Sequence, residues 1–229
     1  MSFNRYSYCL NNPLMFKDPG GQKIVFAEGV SDEFKAAFAQ SIKHLNDNNA
    51  AGVAARLEAS DRIYYVNEVS SMDKVNFDSR TNTINWAPNL GLHFDETGVT
   101  ISPTTILNHE FKHAENYDKA LNKFIEDCKN VGYAEAQKNL NDYYDSRKIG
   151  SDSQYDTKQE RSVITTSEQY TAKALGEIGE GQVTRTNHNK GFPVIVSDPT
   201  SNKVIKIVSH LLRGQSDFRN NAAVNGIFN

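Results

Sequence analysis

One pentapeptide in the chain has the residue types and the spacing for hydrolytic chemistry: His109-Glu110-Phe111-Lys112-His113. This is HExxH. On an α-helix, residues i and i+4 share a face, so both imidazoles can hold one divalent ion. Glu110 adjoins the first ligand and reaches a water on that ion. Zinc with three protein ligands and one open position brings the pKa of such a water to ~7. A neighbouring carboxylate takes the proton and later passes it to a leaving amine. The motif therefore points to Zn2+, with His109 and His113 as ligands and Glu110 as general base.

A third ligand has to come from elsewhere. After His113 the chain reads Ala114-Glu115-Asn116-Tyr117, without the Gly and third His that extend the motif in metzincins. No other histidine in the C-terminal half belongs to a ligand motif, which leaves His188 and His210 as outsiders. A carboxylate on a following helix fits better, and Glu160 and Glu168 are the two candidates. They are eight residues apart (168 − 160), so a straight helix can bring both near one face. Asn108, Glu115 and Asp118 surround the motif; one of them can be a partner that fixes an imidazole tautomer, but solvated helix charge is the leading reading. Trp86 and the Tyr143-Tyr144 pair read as core. His44 and His93 have no informative spacing.

The motif needs a helix, and the sequence supplies one. Ser102 is a suitable N-cap, Pro103 suits the first helical position, and Ile106, Leu107, Ala114 and Tyr117 form a candidate buried stripe. Ahead of it, Gln22 to Glu28 suggests a strand. A helix follows from Ser31, with Asp32 and Glu33 in its first turn and Phe34, Phe38, Ile42 and Leu45 at helical spacing. Ile63 to Val66 is rich in β-formers. Lys74 to Phe77 and Thr83 to Trp86 flank Asp78 to Asn82 as a hairpin. Pro88 to Gly98 reads as loop, and Val99 to Ile101 as a short strand. After the motif, a polar helical region runs to about Tyr144 and a Gly/Ser/Asp-rich linker spans Arg147 to Thr157. A helix is expected over Lys158 to Leu175, and a strand over Val194-Ile195-Val196. The Asn-rich final 20 residues suggest a loosely held end.

Composition narrows the function classes. The chain has 229 residues, of which 38% are hydrophobic and 23% charged, so a buried core can form without disulfides. Lys+Arg 25 against Asp+Glu 28 gives a net charge of -3, which argues against a nucleic-acid partner. No apolar run approaches the ~18 residues of a membrane span. Cys9 and Cys128 are far apart and read as free thiols. No Gly-rich phosphate loop follows a strand. Met1 to Gly21 lacks the apolar core of a signal peptide, so any export is expected to use another route.

Two resemblances add to this reading. Phe3-Asn4-Arg5-Tyr6-Ser7-Tyr8, Asn11-Asn12-Pro13 and Asp18-Pro19-Gly20-Gly21 resemble the end of the RHS-repeat-associated core domain. The resemblance implies that residues 1–21 close an RHS shell and that residues 22–229 are the variable toxin tip of a longer secreted polypeptide. It further implies delivery into a target cell by a specialised secretion system, and a cognate immunity protein as partner.

From Ile84 to Gly191 the chain resembles zinc endopeptidases delivered as bacterial effectors. The resemblance is carried by HExxH, Glu160-Arg161 with Val163-Ile164, Glu168, Leu175-Gly176-Glu177, Arg185, His188 and Gly191. It implies an α+β, zincin-like fold: a small twisted sheet, the motif helix, and a helical subdomain giving the third ligand. Glu160 is its first choice and Glu168 its second. It implies that Arg185 orients substrate or steadies the developing oxyanion. Asn187-His188 stands where the family often has Tyr, and His188 can fill that donor role. The expected activity is endopeptidase action on a protein substrate in the target cell. A non-catalytic binding effector and a zinc amidase acting on peptidoglycan are the alternatives.

Overall fold

Short β-rich runs alternate with amphipathic helices in the first half of the chain, and this alternation builds a mixed sheet. The computed structural model describes residues 22–145, 154–188 and 190–208. The expectations for residues 1–21, for the final 20 residues, for His210 and for the Tyr143 and Tyr144 side chains lie outside what is described, as does most of the expected linker.

The first sheet has the order β1-β2-β4-β3, from β1 (Ile24–Phe26), β2 (Tyr64–Glu68), β3 (Asn76–Asp78) and β4 (Thr83–Trp86). β1, β2 and β4 are parallel, and β3 is antiparallel to β4 at the edge. Parallel neighbours need a long crossover. Between β1 and β2 it is α1 (Asp32–Asp47) followed by α2 (Gly52–Glu58). α1 starts where the sequence suggests: Ser31 Oγ accepts the N–H of Phe34 at 3.0 Å. Its expected stripe meets the sheet, with Phe34 and Leu45 buried and Phe38 and Ile42 packed against the same core. The β3–β4 hairpin forms as expected, and Asn82 takes the positive φ of 52° that its turn requires.

The helix bearing the motif, α3, spans Pro103–Val131. Ser102 Oγ caps the Thr105 N–H at 3.2 Å. Its first half is sunk into the protein: Ile106, Leu107, Phe111 and Ala114 are buried, and Trp86 Nε1 donates to Pro103 O at 2.8 Å. Tyr117, expected in the same stripe, is only half-buried at the cleft. Beyond it α3 packs against α4 (Tyr133–Asp145), so the polar region expected as helical is two helices broken at Gly132, φ 85°.

A second, antiparallel sheet has the order β6-β5-β7-β8, from β5 (Leu90–Phe94), β6 (Val99–Ile101), β7 (Gly191–Val196) and β8 (Val204–Ile207). Here the structure departs from the expected Pro88–Gly98 loop. Gly91 is a close-contact site within the strand, since a Cβ there would lie 2.8 Å from Ile101 O. β5 is a strand because β6 and the distant β7 pair with it on both sides.

A helical rod completes the fold. It consists of α5 (Lys158–Ser162), a π-helical turn (Val163–Glu168) and α6 (Gln169–Ala174). Thr157 Oγ1 caps it through the Glu160 N–H at 3.0 Å. The rod packs on α3, chiefly through its π turn. The molecule is thus α+β. Among the described residues, no helix is long and apolar enough to cross a membrane, and Cys128 is a free thiol.

Candidate metal centre

The i, i+4 spacing on α3 brings the two imidazoles together as the motif requires. His109 Nε2 and His113 Nε2 are 3.0 Å apart, with ring centroids at 4.8 Å. The rod approaches from the other side. Glu160 Oε2 lies 3.0 Å from His113 Nε2, and its Oε1 lies 3.3 Å from His109 Nε2. One atom from each of His109, His113 and Glu160 therefore sits within 4.8 Å of the others.

The donor set suits a divalent cation on the geometry itself. Two imidazole nitrogens and a carboxylate converge, yet at most one proton fits between the nitrogens. Oε1 of Glu160 is buried with no hydrogen-bond donor of its own, a costly arrangement unless something positive satisfies it. Two His and one Glu are ligands that zinc accepts with a position left open. A buried His109, His113 and Glu160 group can therefore hold a metal ion.

Glu168 is placed differently from its expected role as an alternative ligand. Its Oε2 lies 2.9 Å from Nδ1 of His109, the ring nitrogen that faces away from His113. Thr184 Oγ1 donates to Oε1 at 2.7 Å, and Arg185 donates through Nε to Oε1 at 3.0 Å and through Nη2 to Oε2 at 2.5 Å. The backbone explains the placement. At about 100° per residue, an α-helix overshoots two turns by about 80° over eight residues. The wider π turn between Glu160 and Glu168 takes up most of that offset. Both carboxylates then reach the same imidazole, from opposite edges.

Arg185 also departs from expectation. It does not line the cleft but lies buried beneath it, 7% exposed, over the Phe94 ring at 5.4 Å. A buried carboxylate needs a partner, and Glu168 holds the guanidinium away from any substrate. His188, by contrast, lies at the cleft. Its Nδ1 is 2.6 Å from Asp156 Oδ2 and its Nε2 3.5 Å from Glu160 Oε1. Glu110 is buried beside His109 and lines the same hollow.

The hollow holds about 360 Å³, and Phe77 of the edge strand, Tyr117, Glu160 and His188 are among its walls. A larger groove of about 1100 Å³, with Glu28, Glu33, Glu68 and Asp73 on its rim, carries no histidine and no residue of the motif. Charge is strongly coupled around His109. Burial disfavours its imidazolium, but the Glu160 and Glu168 carboxylates beside it favour the charged ring, outweigh that and raise its pKa to about 10. Burial likewise opposes the charged forms of Glu160 and Glu168. His109 and His113 for Glu160, and Arg185 and His109 for Glu168, nevertheless hold both well below the usual carboxylate range.

The residues flanking the motif are not solvated, contrary to their sequence reading. Asn108 is buried and donates to Thr171 Oγ1 at 2.8 Å. Glu115 is buried and takes Arg56, Lys112 and Lys119. Asp118 accepts from Ser60, Arg62 and Tyr64, each at 2.7 Å. Two contributors went unrecognised in the sequence, Asp156 behind His188 and Thr184 on Glu168, and Glu177, quoted only as part of the resemblance, had no assigned role. Glu177 accepts the Ser102 N–H at 3.2 Å and the Thr105 hydroxyl at 2.7 Å, at the start of α3. Only the proximity of Thr184 to Arg185 offered a signal; the other two contacts depend on long-range folding. Compared with known proteins, the chain matches no family model, no curated protein and no solved structure.

Proposed function

We propose that this chain is a zinc-dependent endopeptidase of zincin type. The observation that carries the reading is the convergence of His109, His113 and Glu160 on one point, with Glu110 on the wall of the same cleft. His109, His113 and Glu160 would hold Zn2+, which when bound supplies a Lewis acid that acidifies water and polarises a carbonyl. Glu110 takes a proton from the attacking water and returns it to the leaving amine. His188 is held through Nδ1 by Asp156, and as an imidazolium it donates from Nε2 to the developing oxyanion.

The edge strand favours a peptide as substrate. β3 lies at the outside of its sheet, and its Asn76 and Phe77 border the cleft. An extended chain can add to such an edge through main-chain hydrogen bonds. With the RHS-like segment at residues 1–21, the reading extends to a toxin tip of an RHS-type secreted polypeptide, delivered into a target cell and restrained by an immunity protein. The test is cleavage of an unfolded protein by the zinc-loaded chain. Cleavage that stops in Glu110→Gln supports the proposal. Equal activity in both proteins, or none with stoichiometric zinc bound, overturns it.

A further inference from the structure

A histidine ligand binds well only if its ring is aimed and its proton is on the far nitrogen. In His109, Nε2 faces His113 and Glu160, whereas Nδ1 faces two groups behind the site: Glu168 Oε2 at 2.9 Å and Arg185 Nη2 at 3.5 Å. These two make opposite demands. A carboxylate requires Nδ1 to carry a proton, and a guanidinium requires it to bear a lone pair. The shorter contact is to the carboxylate. The same Nη2 is already committed to Glu168 at 2.5 Å, so the proton belongs on Nδ1.

We propose that Glu168 and Arg185 form a positioning pair for the metal centre. Glu168 accepts from Nδ1–H of His109, keeping the Nε2 lone pair turned toward the ion, and Arg185 fixes the direction of the Glu168 carboxylate by a two-point grip. The inference rests on the zinc reading above, and gives both residues a role in aiming a ligand instead of touching substrate. Three independent features agree with it. Glu168 is fully buried with no exposed surface, so its direction is set by its partners alone. The π turn is the local distortion that brings it onto the same imidazole as Glu160. Arg185 also reaches His188 O through Nη1 at 3.4 Å, so the grip ties the strand-leading loop to the rod.

In a plain buried ion pair, a change of arm length with the charge kept would cost stability but leave zinc affinity unchanged. Glu168→Asp keeps the charge opposite Arg185 but shortens the arm by one carbon, about 1.5 Å, too far for a hydrogen bond to His109. The experiment measures zinc affinity by competition with a chromophoric chelator in wild type, Glu168→Asp and Glu168→Gln, with melting of each metal-free protein. It also records the imidazole N–H proton spectrum of the zinc-loaded wild type. The expected result is a downfield, exchange-protected His109 Nδ1–H signal and a roughly 10- to 100-fold weaker zinc affinity in folded Glu168→Asp. Wild-type affinity in that variant, or no such signal in the loaded wild type, overturns the positioning role. A wild-type chain that binds no zinc overturns the metal reading itself, and is distinguished by the first titration. If Glu168→Gln fails to fold, the aspartate variant and the wild-type spectrum still decide.

Discussion

Glu168 Oε2 and His109 Nδ1 stand 2.9 Å apart, on the ring edge opposite the nitrogen that meets His113 and Glu160. One imidazole is therefore clasped by two carboxylates from a single rod, each meeting a different ring nitrogen. Glu160 is left with an oxygen lacking any donor, while every oxygen of Glu168 is engaged.

Glu110→Gln removes the proton acceptor and leaves the three ligand side chains in place. Hydrolysis of an unfolded protein substrate is expected to fall by roughly 10²- to 10⁴-fold, with zinc content per chain unchanged by elemental analysis. Loss of the metal together with the activity would show that Glu110 acts structurally.

Glu160→Gln and His113→Ala each remove a member of the convergent group. Both are expected to lose stoichiometric zinc after dialysis against buffer with traces of metal, and to retain their far-ultraviolet circular dichroism. A stoichiometric ion in Glu160→Gln would move the third ligand elsewhere.

The zinc effect should depend on pH through His109. Its folded pKa, raised to about 10, lies above the ordinary value of 6.5. The stability it lends the metal-free fold is therefore complete below about 6.5 and is lost as pH rises through about 10. Zinc requires the neutral ring and displaces the proton. The increase in melting temperature on adding zinc should consequently grow from about pH 6.5 to about pH 9, by scanning calorimetry. A constant increment across that range would contradict the proton competition.

Glu177 makes a separate pH prediction at the start of α3. Burial pushes its carboxyl up to about 7, against hydrogen bonds from Ser102 and Thr105. A carboxyl raised in this way favours the fold fully below its ordinary value of 4.5, and that contribution is lost as pH rises through about 7. Glu177→Gln imitates the protonated form. Relative to wild type it should gain roughly 2–3 kcal/mol between about pH 4.5 and pH 7.5, measured by urea unfolding. A pH-independent difference between the two proteins would show that Glu177 does not titrate in this range.

Gly191 supports the site from the second sheet. A Cβ at this position would run into the Phe94 ring, which lies beneath Arg185. Gly191→Ala should cost about 1–3 kcal/mol by overpacking and weaken zinc binding through the displaced guanidinium. Unchanged stability would mean that Phe94 moves aside freely.

The parts of the site that depend on local spacing were legible before any long-range contact was known. HExxH on a capped helix fixes the relation of His109 to His113, because i and i+4 are adjacent on any α-helix. Ser31, Ser102 and the Asp78 to Asn82 turn set boundaries through short-range hydrogen bonds and allowed dihedrals. The α+β class, which the resemblance implied, agrees with the two small sheets and the packed helices. Tertiary structure decided what long-range contact selects. β5 exists because β6 and β7 satisfy its backbone on both sides, where the sequence from Pro88 to Gly98 reads as loop. Glu160 and Glu168, first and second choice for the same ligand position, meet opposite edges of His109 because of the π turn between them. Arg185 looked like a substrate contact until a buried carboxylate claimed it. Residue type reveals what a side chain can do, but which partner it meets depends on chain segments tens of residues away.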